Sequence, residues 1–110
     1  MQEYTKNVKR QIRELAGLLY ERELNEEISK LDEHFEVWRK GELSPFDLAE
    51  RIHHFHQHPA RELYVRFTHP GFEDVLVAQG IASGRLKEEE VPPEVAEAFA
   101  GRVAFLRSNQ

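Results

Sequence analysis

The sequence predicts an all-α fold: a single-domain bundle of four to six mostly antiparallel helices, with a long N-terminal helix or helix pair. Three observations support this prediction. Residues with high helix propensity dominate, and β-branched residues are few and scattered. Apolar residues recur at steps of three and four. Prolines and glycines separate these periodic segments. Because 110 residues suffice for one hydrophobic core, we expect residues 1–110 to form a single helical domain.

The longest helical segment covers residues 5–40 and carries two apolar series. The step between the series, from Leu19 to Leu24, is five residues, which rotates the apolar stripe by more than about 100°. Arg39 and Lys40 followed by Gly41 indicate the end of the helix. The first series is Val8, Ile12, Leu15 and Leu19, and the second is Leu24, Ile28, Leu31, Phe35 and Trp38.

The length of this segment predicts a bend or break. One continuous helix over it would be about 54 Å long, whereas a compact domain of this size is roughly 35 Å across. We therefore favour two helical halves that meet near residues 20–25, with the first half packed against a second copy of the chain. A row at four-residue steps from Ile12 to Ile28 leaves a continuous helix open as the alternative.

The second helix is predicted to begin at Ser44 and Pro45, an N-cap residue followed by proline at the first helical position. Ile52 and Phe55 belong to its expected buried face. Pro59 predicts a break or kink, because proline inside an α-helix removes a hydrogen bond and clashes with the carbonyl four residues earlier. A new short helix is expected over residues 59–68.

Two further helices complete the predicted bundle. His69, Pro70 and Gly71 indicate a stop followed by a helix over residues 71–83, which Gly84 closes. A charged connection then leads to Pro92 and Pro93 and to a last helix over residues 93–107.

Five of the six histidines lie in residues 44–69. His54 and His58 stand at i and i+4, the spacing at which two imidazoles of one helix can share a metal ion. With Glu62 or His69 they would suit zinc or iron. Three facts oppose this interpretation. Glu50, His54, His58 and Glu62 form a row at four-residue steps, and each step drifts by about 40°, so the outer members are more than about 100° apart. Pro59 interrupts this row, and His58 would have to serve both the break and the metal. The alternative is an ordinary polar face that holds no cofactor.

The aromatic residues of the middle of the chain suggest a contact surface, with Trp38, Phe55, His56 and Tyr64 as candidates. The leading functional prediction is a non-catalytic protein-interaction or structural module that self-associates as a homodimer or binds another protein. The second is a metal-binding protein or metal-dependent enzyme that uses the histidine-rich segment 53–69.

Composition argues against several other classes. The formal charge is −5 and the 15 basic residues are scattered, so nucleic acid is not the expected partner. The sequence has neither a long apolar run nor an apolar leader, which predicts no membrane span and a cytoplasmic location. It contains no cysteine, no HExxH, no P-loop and no glycine-flanked serine, so we do not expect an enzyme of these familiar types.

Overall fold

A computed structural model describes residues 4–109, and within them the regular secondary structure is entirely helical. This confirms the all-α prediction. No helix among these residues has the length and apolar character needed to cross a membrane. The helices are α1 (Lys6–Arg39), α2 (Pro45–Phe55), a π-helical turn (His56–Ala60), α3 (Arg61–Thr68), α4 (Glu73–Ser83), a 3-10 turn (Glu88–Glu90) and α5 (Pro93–Ser108).

Helix α1 is continuous, so the predicted break near residues 20–25 is wrong. The segment holds no proline or glycine between residues 18 and 40, and its charged residues and leucines are good helix formers. The five-residue step in the apolar pattern therefore marks a change of contacts along one helix. The predicted stop is present: Gly41 has φ 78°, and its N–H donates to the Trp38 carbonyl at 2.9 Å. This is the left-handed glycine cap of a Schellman motif.

Helix α2 begins as predicted. The Ser44 hydroxyl accepts a hydrogen bond from the Asp47 backbone N–H at 3.0 Å, and Pro45 occupies the first helical position. The predicted interruption at Pro59 is present as the π turn, and α3 (Arg61–Thr68) covers most of the short helix expected over residues 59–68; only the placement of Pro59 at the first position of that helix is wrong, since it lies inside the π turn. A π turn shifts backbone hydrogen bonding to the carbonyl five residues back. Proline is tolerated there because the α-helical bond that it would remove is not needed.

The chain divides into two units. Within the described residues, unit 1 comprises residues 4–19 and 69–109, and unit 2 comprises residues 20–68. Helix α1 contributes its first part to unit 1 and its second part to unit 2. The expectation of one domain over residues 1–110 stays a prediction.

Unit 1 contains most of the buried side chains: thirteen of the fifteen buried hydrophobic residues in the described chain. Val77, Val95 and Phe99 are wholly buried. Gly80 of α4 lies against Leu19, whose Cδ1 is 2.6 Å from the position that a Cβ at residue 80 would occupy. The buried residues of α1 are Val8, Ile12, Leu15, Ala16 and Leu19.

The burial of these α1 residues corrects one expectation. The stripe that we expected to face a second copy is covered by the chain's own unit 1, so it is not available to a partner.

Tyr4 adds to this packing, with its ring edge-on to Phe99 at a centroid distance of 5.8 Å. Burial raises the pKa of Tyr4, and the Asp74 carboxylate raises it further while Arg102 opposes the change. The phenol therefore stays neutral at physiological pH.

Candidate functional site

Unit 2 is a helical hairpin. Its two arms are the part of α1 from residue 20 onward and the helical run from Pro45 to Thr68. Three described side-chain contacts connect the arms. As the α1 residue moves from 20 to 34, its partner moves back from 67 to 51, so the arms are antiparallel. The contacts are the stacked rings of Tyr20 and Phe67 (5.0 Å between centroids), the Glu23–Arg66 ion pair (3.2 Å) and the His34–Arg51 side-chain hydrogen bond (2.8 Å).

The hairpin buries little apolar surface. Within residues 20–68, Leu48 and Leu63 are the buried hydrophobic side chains, and the α1 arm contributes none. An amphipathic helix typically carries an apolar stripe at least about 100° wide, and a single neighbouring helix covers only part of such a stripe. Much of the apolar surface of both arms therefore remains accessible.

The two faces of the hairpin differ in chemistry. Glu23–Arg66 and His34–Arg51 are polar contacts between the arms. Glu23 and His34 are eleven residues apart, which is about three helical turns, so both contacts are made from the same side of α1. Leu24 directly follows Glu23, and successive residues of an α-helix are about 100° apart. Leu24 therefore points across the contact line to the opposite side, and the same argument places Ile52 there, after Arg51. The side of Leu24 and Ile52 therefore carries apolar side chains, and it also carries the polar groove residues His56, Gln57 and Arg61.

The apolar side contains a groove of about 350 Å³ between the arms. Ile28 lies one helical turn after Leu24 on α1, and Ile52 lies one turn before His56 on the second arm. Neither belongs to the groove lining, and they are 46% and 40% exposed. Tyr64 is 60% exposed. We call this surface the open face and define it by Leu24, Ile28, Ile52, His56, Ala60 and Tyr64. The residues that line the groove itself are Tyr20, Leu24, His56, Gln57, Ala60, Arg61 and Tyr64.

The π turn keeps the open-face side chains of the second arm on the same side of the helical run. Ile52, His56, Ala60 and Tyr64 follow one another at four-residue steps. In an uninterrupted α-helix each step would rotate the row by about 40°, so Ile52 and Tyr64 would point roughly 120° apart. The wider π turn rotates each residue by less and reduces this drift. Pro59 therefore lies within the segment that shapes the groove.

The structure brings two of the four metal candidates together. The imidazole rings of His54 and His58 are 4.6 Å apart between centroids and inclined by 36°. Both residues are exposed, as is Glu62 on α3. His69 belongs to unit 1, where its ring packs edge-on to Phe72 at 4.7 Å. Between residues 4 and 109, no three histidine or acidic side chains are grouped closely enough to hold one ion.

The four predicted contact residues all lie in unit 2. His56 and Tyr64 belong to the open face and line its groove. Trp38 is 42% exposed near the end of α1, and Phe55 is only half-buried. Sequence reasoning missed Ile28 and Ile52, which it assigned to apolar helix faces without asking what would cover them. The signal that could have revealed them is the row of four-residue steps on each arm.

Comparison of the chain with models of protein families, with characterised proteins and with solved structures finds no match.

Proposed function

We propose that this protein is a non-catalytic interaction module that self-associates through the open face of its hairpin. One observation carries the proposal: the hairpin buries two hydrophobic side chains, while Ile28, Ile52 and Tyr64, which helix geometry places on the open face, are each 40% or more exposed. A contiguous exposed apolar patch on a helical surface is typical of a protein-binding site. In the assembled state the two hairpins form a four-helix bundle, which supplies the core that one hairpin lacks.

Charge favours a second copy as the partner. In the α1 arm, residues 20–39 contain seven acidic and three basic residues. The helical run from Pro45 to Thr68 contains three acidic residues, three arginines and four histidines. A two-fold axis parallel to the helices places the acidic arm of each copy across from the arginine- and histidine-containing arm of the other. All neighbouring helices are then antiparallel, and each acidic arm lies beside an arm without net charge instead of beside a second acidic arm, which favours this register.

Several earlier expectations enter this proposal. The four to six mostly antiparallel helices were expected within one chain, and in this proposal the hairpins of two copies form a further antiparallel bundle between them. The partner is protein, in a cytoplasmic setting, and the net charge of −5 disfavours nucleic acid. The chain acts by binding, and no residue is assigned a catalytic role.

The test is the mass of the protein in solution at micromolar concentration, measured by sedimentation equilibrium. We expect a dimer for the native chain and a monomer for Ile28→Glu. An uncompensated carboxylate in an apolar interface costs about 3 kcal/mol or more, so the dissociation constant should rise at least about 100-fold. Far-UV circular dichroism checks that the variant remains helical.

Phe105→Glu is the matched control. Phe105 is an apolar α5 residue of unit 1 that is 67% exposed, so the substitution adds the same charge away from the open face. The control should remain dimeric. A native chain that is monomeric at these concentrations would overturn the proposal, as would equal dissociation of both variants.

A further inference from the structure

We propose that His54 and His58 form a two-ligand site for a divalent transition-metal ion on the exposed surface of the hairpin. Their rings are already in contact, with 4.6 Å between centroids. The site does not depend on self-association, and the measurements that test it are separate from those that test the dimer.

The helix geometry brings the two imidazoles into line. Four steps along an α-helix leave two side chains about 40° out of register. Between His54 and His58 the chain passes from α2 into the π turn, where each residue rotates by less. The offset is therefore reduced, which agrees with the close approach of the two rings. The drift that argued against a metal site in the sequence concerned the outer members of a longer row ending at Glu62, which does not enter this two-histidine site.

The surroundings leave both rings free to turn toward an ion. His54 and His58 are exposed, and their described ring contact is with each other. The ring planes are inclined by 36°, so they are not locked in a parallel stack. An ion held between one nitrogen of each ring needs only side-chain rotation, because the helical backbone has already set the spacing.

The donor set selects the class of ion. Two neutral imidazoles suit copper, nickel and zinc, whereas calcium and magnesium require oxygen ligands. Because no third histidine or acidic group joins the pair within residues 4–109, water would occupy the remaining positions. Affinity should follow the general order for divalent ions, with Cu²⁺ above Ni²⁺ and Zn²⁺. A bound ion would link α2 to the π turn across the segment in which Pro59 lacks a backbone donor.

Thermal unfolding of the full chain with each ion tests the site. An ion that binds the folded chain more tightly than the unfolded chain raises the melting temperature. We expect a rise with Cu²⁺, smaller rises with Ni²⁺ and Zn²⁺, no rise with Mg²⁺, and reversal by a chelator. Isothermal titration calorimetry with Ni²⁺ should give one ion per chain. His54→Gln and His58→Gln should each weaken that binding at least about tenfold, since each removes one of two ligands.

His53→Gln is the matched control, because His53 is an exposed histidine adjacent to the pair on the same helix. This variant should retain the Ni²⁺ affinity and the rise in melting temperature. The proposal would be overturned by a native chain that does not bind Ni²⁺, by binding that survives both ligand substitutions, or by an equal loss in His53→Gln. None of these outcomes depends on the oligomeric state, which sedimentation equilibrium measures separately.

Discussion

At Gly80 the missing side chain allows α4 to lie directly against Leu19 of α1 in unit 1. A Cβ at residue 80 would be 2.6 and 2.8 Å from the two terminal carbons of Leu19. Leu19 is only 2% exposed, so its side chain cannot turn outward into solvent and can move only by displacing its packed neighbours. Gly101, in the middle of α5, has nothing within 4 Å of the same position. A methyl group added at Gly80 would therefore clash with Leu19, whereas one added at Gly101 would not clash with any neighbour among the described residues.

Gly80→Ala should lower the free energy of unfolding. Overpacking a well-filled core costs typically about 1–3 kcal/mol, and the gain in helix propensity offsets at most about 1 kcal/mol of that cost. Gly101→Ala is the control and should raise the free energy of unfolding by roughly 0.5–1 kcal/mol, since it gains propensity without a clash. Urea denaturation of both variants measures the difference. Equal stabilisation by the two substitutions would show that the contact with Leu19 is not tight.

At the scale of elements, the π turn decides how α2 and α3 present their side chains together. Proline disfavours the α-helical alternative at residue 59, because it lacks the N–H that an α-helical bond needs. With alanine there, the turn is free to revert to α-helix. The reversion would rotate α3 against α2 and separate Tyr64 from Ile52 on the open face.

Pro59→Ala should therefore keep or raise the thermal stability of the chain while weakening self-association at least about tenfold, a loss of about 1.4 kcal/mol. Circular dichroism measures the thermal stability, and sedimentation equilibrium measures the dissociation constant of the dimer. Pro45→Ala is the control, because Pro45 stands at the first turn of α2 and its removal leaves the π turn intact. If Pro59→Ala dimerises as tightly as Pro45→Ala, the π turn does not shape the interface.

The element scale also shows what the sequence could predict. The start of α2 at Ser44 and the ends of α1 and α4 at Gly41 and Gly84 were predictable, because caps depend on a few adjacent residues. The interruption at Pro59 was predictable, but its form was not, because the α-helical penalty is local information, whereas the π turn that accommodates Pro59 depends on how α2 and α3 are each held by packing. A rule that considers only neighbouring residues does not include this packing of α2 and α3.

The candidate site was predictable only in part, for a related reason. Periodicity indicates which residues share a helix face, and it does so equally well for a covered face and an accessible one. Ile12 and Ile28 belong to the same four-step row of α1, yet Ile12 is 3% exposed and Ile28 is 46% exposed. His56 and Tyr64 were identified by their residue types, while Ile28 and Ile52 required knowledge of what packs against each arm.

At the scale of the whole molecule, hydrophobic burial is divided unequally between the two units. Within the described chain, unit 1 holds thirteen of the fifteen buried hydrophobic residues and unit 2 holds Leu48 and Leu63. Burial of apolar surface supplies most of the driving force for folding. Segments with few buried contacts open at a lower free energy than the rest of a protein. Unit 2 should therefore be the less stable part of an isolated chain.

Self-association should change this balance in a way that hydrogen exchange can detect. A partner that binds the folded hairpin stabilises it by mass action. If opening of the hairpin requires dissociation, exchange of amides in residues 45–68 should slow by about threefold for each tenfold rise in protein concentration, since the free monomer fraction falls as the square root. The slowly exchanging amides of α4 and α5 in unit 1 should show no such dependence.

Ile28→Glu provides the control for this prediction, because it should remove the concentration dependence while leaving exchange in unit 1 unchanged. Exchange that is independent of concentration in the native chain would mean that the hairpin is stable without a second copy. A concentration dependence confined to unit 1 would place the contact on α4 or α5 instead. If the second copy supplies the core that Leu48 and Leu63 alone do not provide, exchange should slow with concentration only in the hairpin. That slowing should disappear in Ile28→Glu.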